Sequence, residues 1–488
     1  MRTVTGFEQT ESHISWLLFT EDHVLKIKKP VTFGFLDLSK VEARFEACQR
    51  EVELNRRLAP DVYEGVGTFT YPDGREEPVV VMRRLPSDRR LSALIQFDDP
   101  SVGTQLERIA RRLAAFHAGA TRNHDIDAAC TVGAVIRLWD DNMAELRTVS
   151  ASVLVPDDLD RIDQLALRYL SGRSELFDTR IRSGHAVDGH GDLLADDIFC
   201  MDDGPRLLDC LEFADSLRHI DTLSDAASLA MDLERSGRPD LSTAFLDSYR
   251  QASIDAWPES LAHFYITYRA MVRAKVACLR ARTGDRDAPY EARGLTALAL
   301  AHAEAATIRL VLVGGLPGTG KSTLAGGLSA ATGWPLLRSD VLRKELAGLR
   351  PSESAATAFQ AGMYGAEATA SVYAELLSRA ALLLRSGRSV ILDATWTRQC
   401  WRDAANELGQ WAEADVVGLE CEASRELATL RMNLRGTEGW DPSDASPTIA
   451  EAMAQVAEPW LDALPVDTSV LPEDSLTAVL ELLDWANG

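Results

Sequence analysis

Lysine is scarce in this sequence. Only seven of its 51 basic residues are lysines, at positions 26, 28, 29, 40, 275, 321 and 344, so each carries more information than an arginine does. Cysteines number seven, an odd count spread from Cys48 to Cys421 with no C-x-x-C pair. That points away from a disulfide framework or a zinc site and toward scattered core residues. No apolar run approaches the roughly 20 residues a membrane helix needs, and the opening MRTVTGFEQTESH has no charged-then-apolar signal segment, so a cytoplasmic location is expected. Positive charge is short throughout. Against 51 Lys+Arg stand 74 Asp+Glu, a net charge of -23, with 37 basic against 50 acidic residues up to position 304 and 14 against 24 after it. A phosphate backbone is held by counterion release at a Lys/Arg surface, so neither extended nucleic acid nor an anionic membrane is an expected partner. Internal repeats and low-complexity tracts are also missing.

What is there is globular. With 488 residues the chain is about three ordinary domain lengths, and 46% hydrophobic with 26% charged residues is enough to bury large cores. Residues 14–30 (ISWLLFTEDHVLKIKKP) predict a hairpin about Thr20-Glu21-Asp22, stopped by Pro30. A helix follows over 40–58, with Val41, Phe45, Cys48, Val52 and Leu54 as its apolar positions. PVVVMRRLP at 78–86 predicts a short buried strand. Helical periodicity runs from about 104 to 175 and from 222 to 280, interrupted at 185–213 by an Asp- and Gly-rich stretch. There IFCM and RLLDC flank the turn Asp202-Asp203-Gly204. After a polar turn (RTGDRDAP) and an Ala/Leu helix at about 289–306, the β-runs 308–314, 389–393 and 415–419 alternate with helical segments, the rhythm of an α/β parallel sheet. The expected division is 1–304 and 305–488.

Gly315-Leu-Pro-Gly318-Thr319-Gly320-Lys321-Ser322 matches G-x-x-x-x-G-K-[ST] directly after a strand and before the helix-like STLAGGLSAATG, which opens with Ser322 and Thr323. Glycines let backbone N–H groups wrap phosphates and the helix N-terminus adds its positive end. Lys321 then neutralises β/γ oxygens, and the Ser322 hydroxyl can ligate Mg²⁺. Asp393, ending the strand-like SVILD, is placed to present a carboxylate to that metal or its waters. Asp340 and Arg343 are spaced i, i+3, which suits a carboxylate receiving a hydroxyl proton beside a guanidinium that holds substrate or phosphoryl group. Arg431 and Arg435, i, i+4, can close over the phosphoryl group as a lid, or form a solvated face. Residues 308 to about 460 resemble the P-loop small-molecule kinases, the group of polynucleotide 5′-kinases, gluconate-type kinases, chloramphenicol phosphotransferase and zeta-type toxins. The resemblance implies that Asp340 is the base, Arg343 binds substrate and 425–446 is a mobile lid.

The first part of the chain carries a second constellation. His190-Gly191-Asp192 precedes Asp209 by 17 residues with a turn between, so two carboxylates can flank one cavity, one orienting an attacking hydroxyl and the other holding Mg²⁺. In VLKIKKP the alternation of a strand points Lys26 and Lys28 together and Lys29 away. Glu51, central in the next helix, can pair with that lysine and hold it against α/β-phosphates. This set, over about residues 5–280, resembles the aminoglycoside phosphotransferase and choline kinase branch of the protein-kinase-like fold. The resemblance implies a bilobal α+β domain with an N-lobe of about 1–88 and a helical C-lobe of about 89–304. It implies Asp192 as base, Asp209 as metal ligand, Lys26 or Lys28 as phosphate lysine with Glu51 as its partner, and Met82 to Leu85 as the hinge meeting adenine. Asp197 stands at the second metal position, where the family usually has Asn, and the first strand-joining loop has no glycine.

The expectation is therefore a tandem phosphotransferase using ATP and Mg²⁺ on small-molecule acceptors. Two alternatives stand beside it: an N-terminal nucleotide or ligand sensor regulating the C-terminal kinase, and a polynucleotide 5′-end kinase, with which the acidic charge of residues 305–488 conflicts.

Overall fold

The computed structural model describes residues 8–11, 14–33, 36–350, 365–438 and 446–482. Packing groups the chain into two units. One comprises Met1–Asp158, Phe177–Trp257 and Tyr265–Ala299, the other Leu159–Leu176, Pro258–Phe264 and Leu300–Gly488.

The first unit opens with a five-stranded sheet. The expected hairpin pairs Ser15–Phe19 antiparallel with His23–Lys28, and the predicted buried strand is Glu76–Arg83, paired on the far side of His23–Lys28. Two outer strands, Glu8–Glu11 and Tyr63–Thr70, carry sequences (EQTE, YEGVGTFT) too polar and Gly-rich to announce themselves; pairing with a neighbour decides them. The helix Val41–Asn55 buries Arg44, Cys48, Glu51, Val52, Leu54 and Asn55. Val41 and Phe45, expected among its apolar contacts, are exposed. The inward face follows the polar residues Arg44, Glu51 and Asn55, which find tertiary partners, and only part of the apolar set. Helices dominate the rest of the unit. Between them the hairpin of Ile198–Met201 and Gly204–Leu207 closes at the expected Asp202-Asp203-Gly204 turn. The second strand ends before Asp209, whose backbone turns into the left-handed region at φ 63. The helix Thr222–Arg235 is buried along nearly its whole length, Asp225 and Asp232 included.

The second unit centres on a five-stranded, all-parallel sheet in the order Leu336–Arg338, Val390–Asp393, Arg309–Gly314, Asp415–Glu422, Leu464–Asp467. Its inner strands are near-continuous apolar runs because helices cover both faces. Val311, Val313, Leu324, Leu328, Ile391, Leu419, Val466 and Val479 fill the core. The chain's first strand of this sheet lies in the middle, with the next two on one side and the last two on the other. The loop after it therefore opens at the point where strand order reverses, the usual ligand crevice of such sheets. Earlier chain contributes to this unit: Arg173 Nη1 donates to Ala412 O at 2.6 Å, Ser260 Oγ donates to Gly387 O at 2.6 Å, and Tyr169 stacks on Phe264.

The indole of Trp460 lies across two adjacent strands where both carry glycine. A methyl at Gly314 would fall 2.3 Å from Trp460 Cζ3 and one at Gly418 2.5 Å from Cζ2. Gly418→Val is expected to destabilise this unit by about 1–3 kcal/mol by displacing the ring. A thermal unfolding scan checks it, and the second substitution Trp460→Ala should make Gly418→Val nearly neutral by clearing the space.

Candidate active sites

In the first unit Lys26 and Lys28 reach the same carboxylate from one side of their strand. Lys26 Nζ lies 2.8 Å from Glu51 Oε1 and Lys28 Nζ 2.6 Å from Glu51 Oε2. Each also holds a second acid, Lys26 pairing with Asp209 and Lys28 with Glu212. Lys29 points away, 5.6 Å from the Trp16 ring. Lys28 and Glu51 are fully buried, whereas the Asp209 side chain is half-exposed. Burial alone would push the Glu51 carboxyl up, but the two ammonium groups prevail and hold it below the usual carboxylate range. Asp209 is held low in the same way by Lys26. Lys26 itself, against the pull of burial, is raised by Asp209 and Glu51. Glu212 goes the other way, burial raising it more than Lys28 lowers it.

Asp192 sits in a loop held from behind. Asp225 accepts from the amides of His190 at 2.6 Å and Gly191 at 2.9 Å and meets His117 Nε2 at 3.1 Å. Two turns along the same helix, Asp232 accepts from Ala195 N at 2.8 Å. Arg269 Nη1 donates to Gly191 O at 2.5 Å. Gly191 itself has φ 94, and a Cβ there would press on Leu217 O at 3.2 Å, so no other residue fits this turn easily. His190 Nε2 faces the Leu208 carbonyl at 3.0 Å, so it carries the proton, and burial keeps its pKa low. His190 thereby links the loop to the hairpin. At the hairpin's open end the Leu208 amide donates to the Asp197 carbonyl, bringing Asp197 and Asp209 to one place. Burial first, then Asp209, Asp192 and Asp196, push the Asp197 carboxyl well above the usual range.

Met82 and Leu85 pack with Phe199 and Leu208 in one apolar cluster beside these groups. Two amides of the expected hinge are already committed, Arg83 N–H to Val62 O and Arg84 N–H to Asp22 O.

In the second unit the phosphate loop joins Arg309–Gly314 to the helix Lys321–Thr332. Gly318 adopts φ 84, and a Cβ there would lie 2.5 Å from Ala428 O. Lys321 Nζ donates to Leu316 O at 3.2 Å within its own loop, as does Thr319 Oγ1 at 2.8 Å. The Thr323 amide closes back on Gly320 O, which puts Ser322 in the first turn of the helix. Thr468, beyond the last strand, bonds the Thr319 carbonyl through its hydroxyl, and its own carbonyl accepts from Arg431 Nη2 at 2.7 Å. That brings the Arg431 guanidinium beside Gly320, with Nη1 buried and without a hydrogen-bond partner among the described residues. The Arg435 side chain and residues 439–445 of the expected lid lie outside the described residues. Asp393 ends its strand next to the loop-bearing strand, and Oδ2 accepts from Arg338 Nε at 3.1 Å. Asp340 and Arg343 lie on the helix Ser339–Leu346; Arg343 Nη1 donates to Thr369 Oγ1 at 3.3 Å. Tyr373, buried against Trp396 and stacked on Trp401, lies within electrostatic reach of both.

Sequence reasoning missed Glu212, Asp225, Asp232, Arg269, Arg273, Arg338, Tyr373 and Thr468. Only the i, i+7 spacing of Asp225 and Asp232 in an otherwise apolar helix was a signal that buried carboxylates were holding something.

Residues 310–460 match the family model of an AAA domain. A gluconokinase from Sinorhizobium meliloti is 18% identical, covering 36% of this chain and 92% of that chain at a TM-score of 0.27. A choline kinase from Cryptosporidium parvum is 10% identical, covering 62% of this chain and 89% of that chain at a TM-score of 0.41. The second unit is thus the part that the AAA-domain model matches, and its first strand leads into the glycine loop. The chain belongs to one family with an uncharacterized protein of Mycobacterium tuberculosis, to which it is 43% identical over 460 residues, 94% of this chain and 92% of that protein.

Glu51→Gln leaves two buried ammonium groups short of a partner, and the expected cost at neutral pH is roughly 3–5 kcal/mol. Because the folded-state pKa of Glu51 is depressed, its contribution is present above the ordinary glutamate value and lost as pH falls through the folded value. Denaturant unfolding at several pH values should show the gap between parent and variant shrinking toward acid.

Proposed function

We propose that the chain is a tandem phosphotransferase, each unit passing the terminal phosphoryl group of Mg-ATP to a hydroxyl of a small molecule. The observation that carries this is Lys26, held between Glu51 and Asp209 at the edge of the cluster containing Met82. A mere core lysine has no reason to reach a half-exposed carboxylate at a strained backbone position. Between the two candidates, Lys26 is then the phosphate lysine, and Lys28 is the more deeply buried one. In the second unit the buried Nη1 of Arg431 beside the glycine loop, without a partner among the described residues, fits an anion there.

Mg²⁺ would be held by Asp209 and Asp197 in one unit and by Ser322 with Asp393 in the other. Mg²⁺ takes one or two carboxylates and completes its shell with phosphate and water, which these donor sets would allow. When bound, Mg-ATP supplies the phosphoryl group and offsets the charge that develops on it. The chain's residues do the rest. Asp192 in one unit and Asp340 in the other orient the acceptor hydroxyl and take its proton, Arg343 holds the second unit's acceptor, and Arg431 with Lys321 meets growing negative charge. Small-molecule acceptors and a cytoplasmic location complete the reading. Among the described residues no helix is long and apolar enough to cross a membrane.

A second reading has one observation in its favour. Asp197 adds a carboxylate that resists ionisation beside Asp192 and Asp209, so the first unit would bind nucleotide and sense rather than transfer.

Acceptor-dependent ADP release by the full chain separates these. Asp340→Asn should lower the second unit's turnover by about 10²–10⁴-fold with ATP affinity kept. Lys321→Ala should abolish that turnover and leave a remainder that Asp192→Asn removes. ATP binding without any such remainder would replace the tandem reading by the sensor.

A further inference from the structure

The candidate base of the first unit has a cationic neighbour. Arg273, on the helix Glu259–Arg282, places Nη1 3.3 Å from Asp192 Oδ2. One turn earlier Arg269 is buried, each of its three nitrogens donating one bond, to Gly191 O, to Ser224 O and to the Ser224 hydroxyl. Arg273 differs. It makes no other hydrogen bond among the described residues, its side chain is 22% exposed, and Asp192 beside it is 35% exposed. Lys26, the group assigned to the nucleotide, comes from the sheet, whereas Arg273 reaches Asp192 from the helical part.

A hydroxyl that donates to the remaining oxygen of Asp192 brings its molecule within a few ångströms of this guanidinium. An ammonium group on that molecule would be repelled and a carboxylate or phosphate attracted, each on the order of 10–100-fold in affinity at a partly exposed site. Guanidinium donors left over by the single contact to Asp192 match the paired oxygens of such anions.

We propose that the first unit takes an acceptor bearing an anionic group, a carboxylate or a phosphate, close to its reacting hydroxyl, and that Arg273 binds that group. The proposal rests on the phosphotransferase reading. In the step concerned, the acceptor oxygen bonds the terminal phosphorus of the nucleoside triphosphate as the bond from that phosphorus to its bridging oxygen breaks. The nucleoside diphosphate leaves, and the hydroxyl proton passes to Asp192.

The test uses the full chain with Lys321→Ala to silence the second site. Calorimetry in the presence of Mg-ADP compares D-glycerate, D-gluconate and glucose 6-phosphate with glucose, kanamycin and choline, the first two probes against the third separating carboxylate from phosphate. At least one anion should bind ten-fold or more tighter than glucose, kanamycin and choline. Arg273→Met should erase that preference with Mg-ADP affinity and unfolding temperature unchanged, and Arg273→Lys should keep part of it. A role for Arg273 in merely bracing the loop would move all six probes alike. Equal or no binding across the panel, preference for kanamycin or choline, or anion binding indifferent to Arg273→Met overturns the proposal. Arg273-dependent anion binding without ADP release from ATP in any arm would uphold the anion site and defeat the phosphotransferase reading instead.

Discussion

Glu51 is a carboxylate removed from water, and a charge so placed is tolerated only when opposite charge and good geometry surround it. Two lysines on alternate positions of one strand supply that charge, and each then needs a second acid, which the chain delivers from more than 150 residues away as Asp209 and Glu212. A helix, a strand and the segment after a hairpin are thereby tied at one point. The cluster holds two positive and three negative groups, and Asp192 and Asp197 lie within its field. Such a site carries an excess of negative charge that a bound cation would offset.

The two units solve the problem of positioning reactive groups differently. In the first, the loop of Asp192 has no regular structure and is gripped by buried side chains, Asp225 and Asp232 from one helix and Arg269 from another. The amides of His190, Gly191 and Ala195 hold the loop still, while the Asp192 side chain stays accessible. In the second, the loop is held by its own backbone and residues, with Gly315 and Gly318 where a Cβ would strike the carbonyls of Cys421 and Ala428. Side chains from later in the chain, Thr468 and Arg431, brace it from the other side.

Local pattern was sufficient for much of this. The phosphate loop depends on residue types at fixed spacing between a strand and a helix, so it is legible wherever it occurs. Lysine alternation in VLKIKKP and the turn at Asp202-Asp203-Gly204 are equally local, and the structure has both. The helix Val41–Asn55 was legible as a helix, yet its buried face was not, because Arg44, Glu51 and Asn55 go inward only when partners far along the chain are there to receive them.

The sequence by itself determined which residues could bear chemistry, since scarcity made the lysines conspicuous and short motifs set Asp192, Asp209 and Lys321 in recognisable company. It also determined the acidic balance and the alternation of strands and helices in the last third of the chain. Only the tertiary structure decided that Lys26 and Lys28 share one carboxylate, that the Arg431 guanidinium comes to the phosphate loop through Thr468, that Leu159–Leu176 packs with the second unit, and that Arg273 stands beside Asp192. The reason is physical: propensity and periodicity act within a few residues, whereas the pairing of buried charges is settled by whichever groups the finished fold brings within a few ångströms of one another.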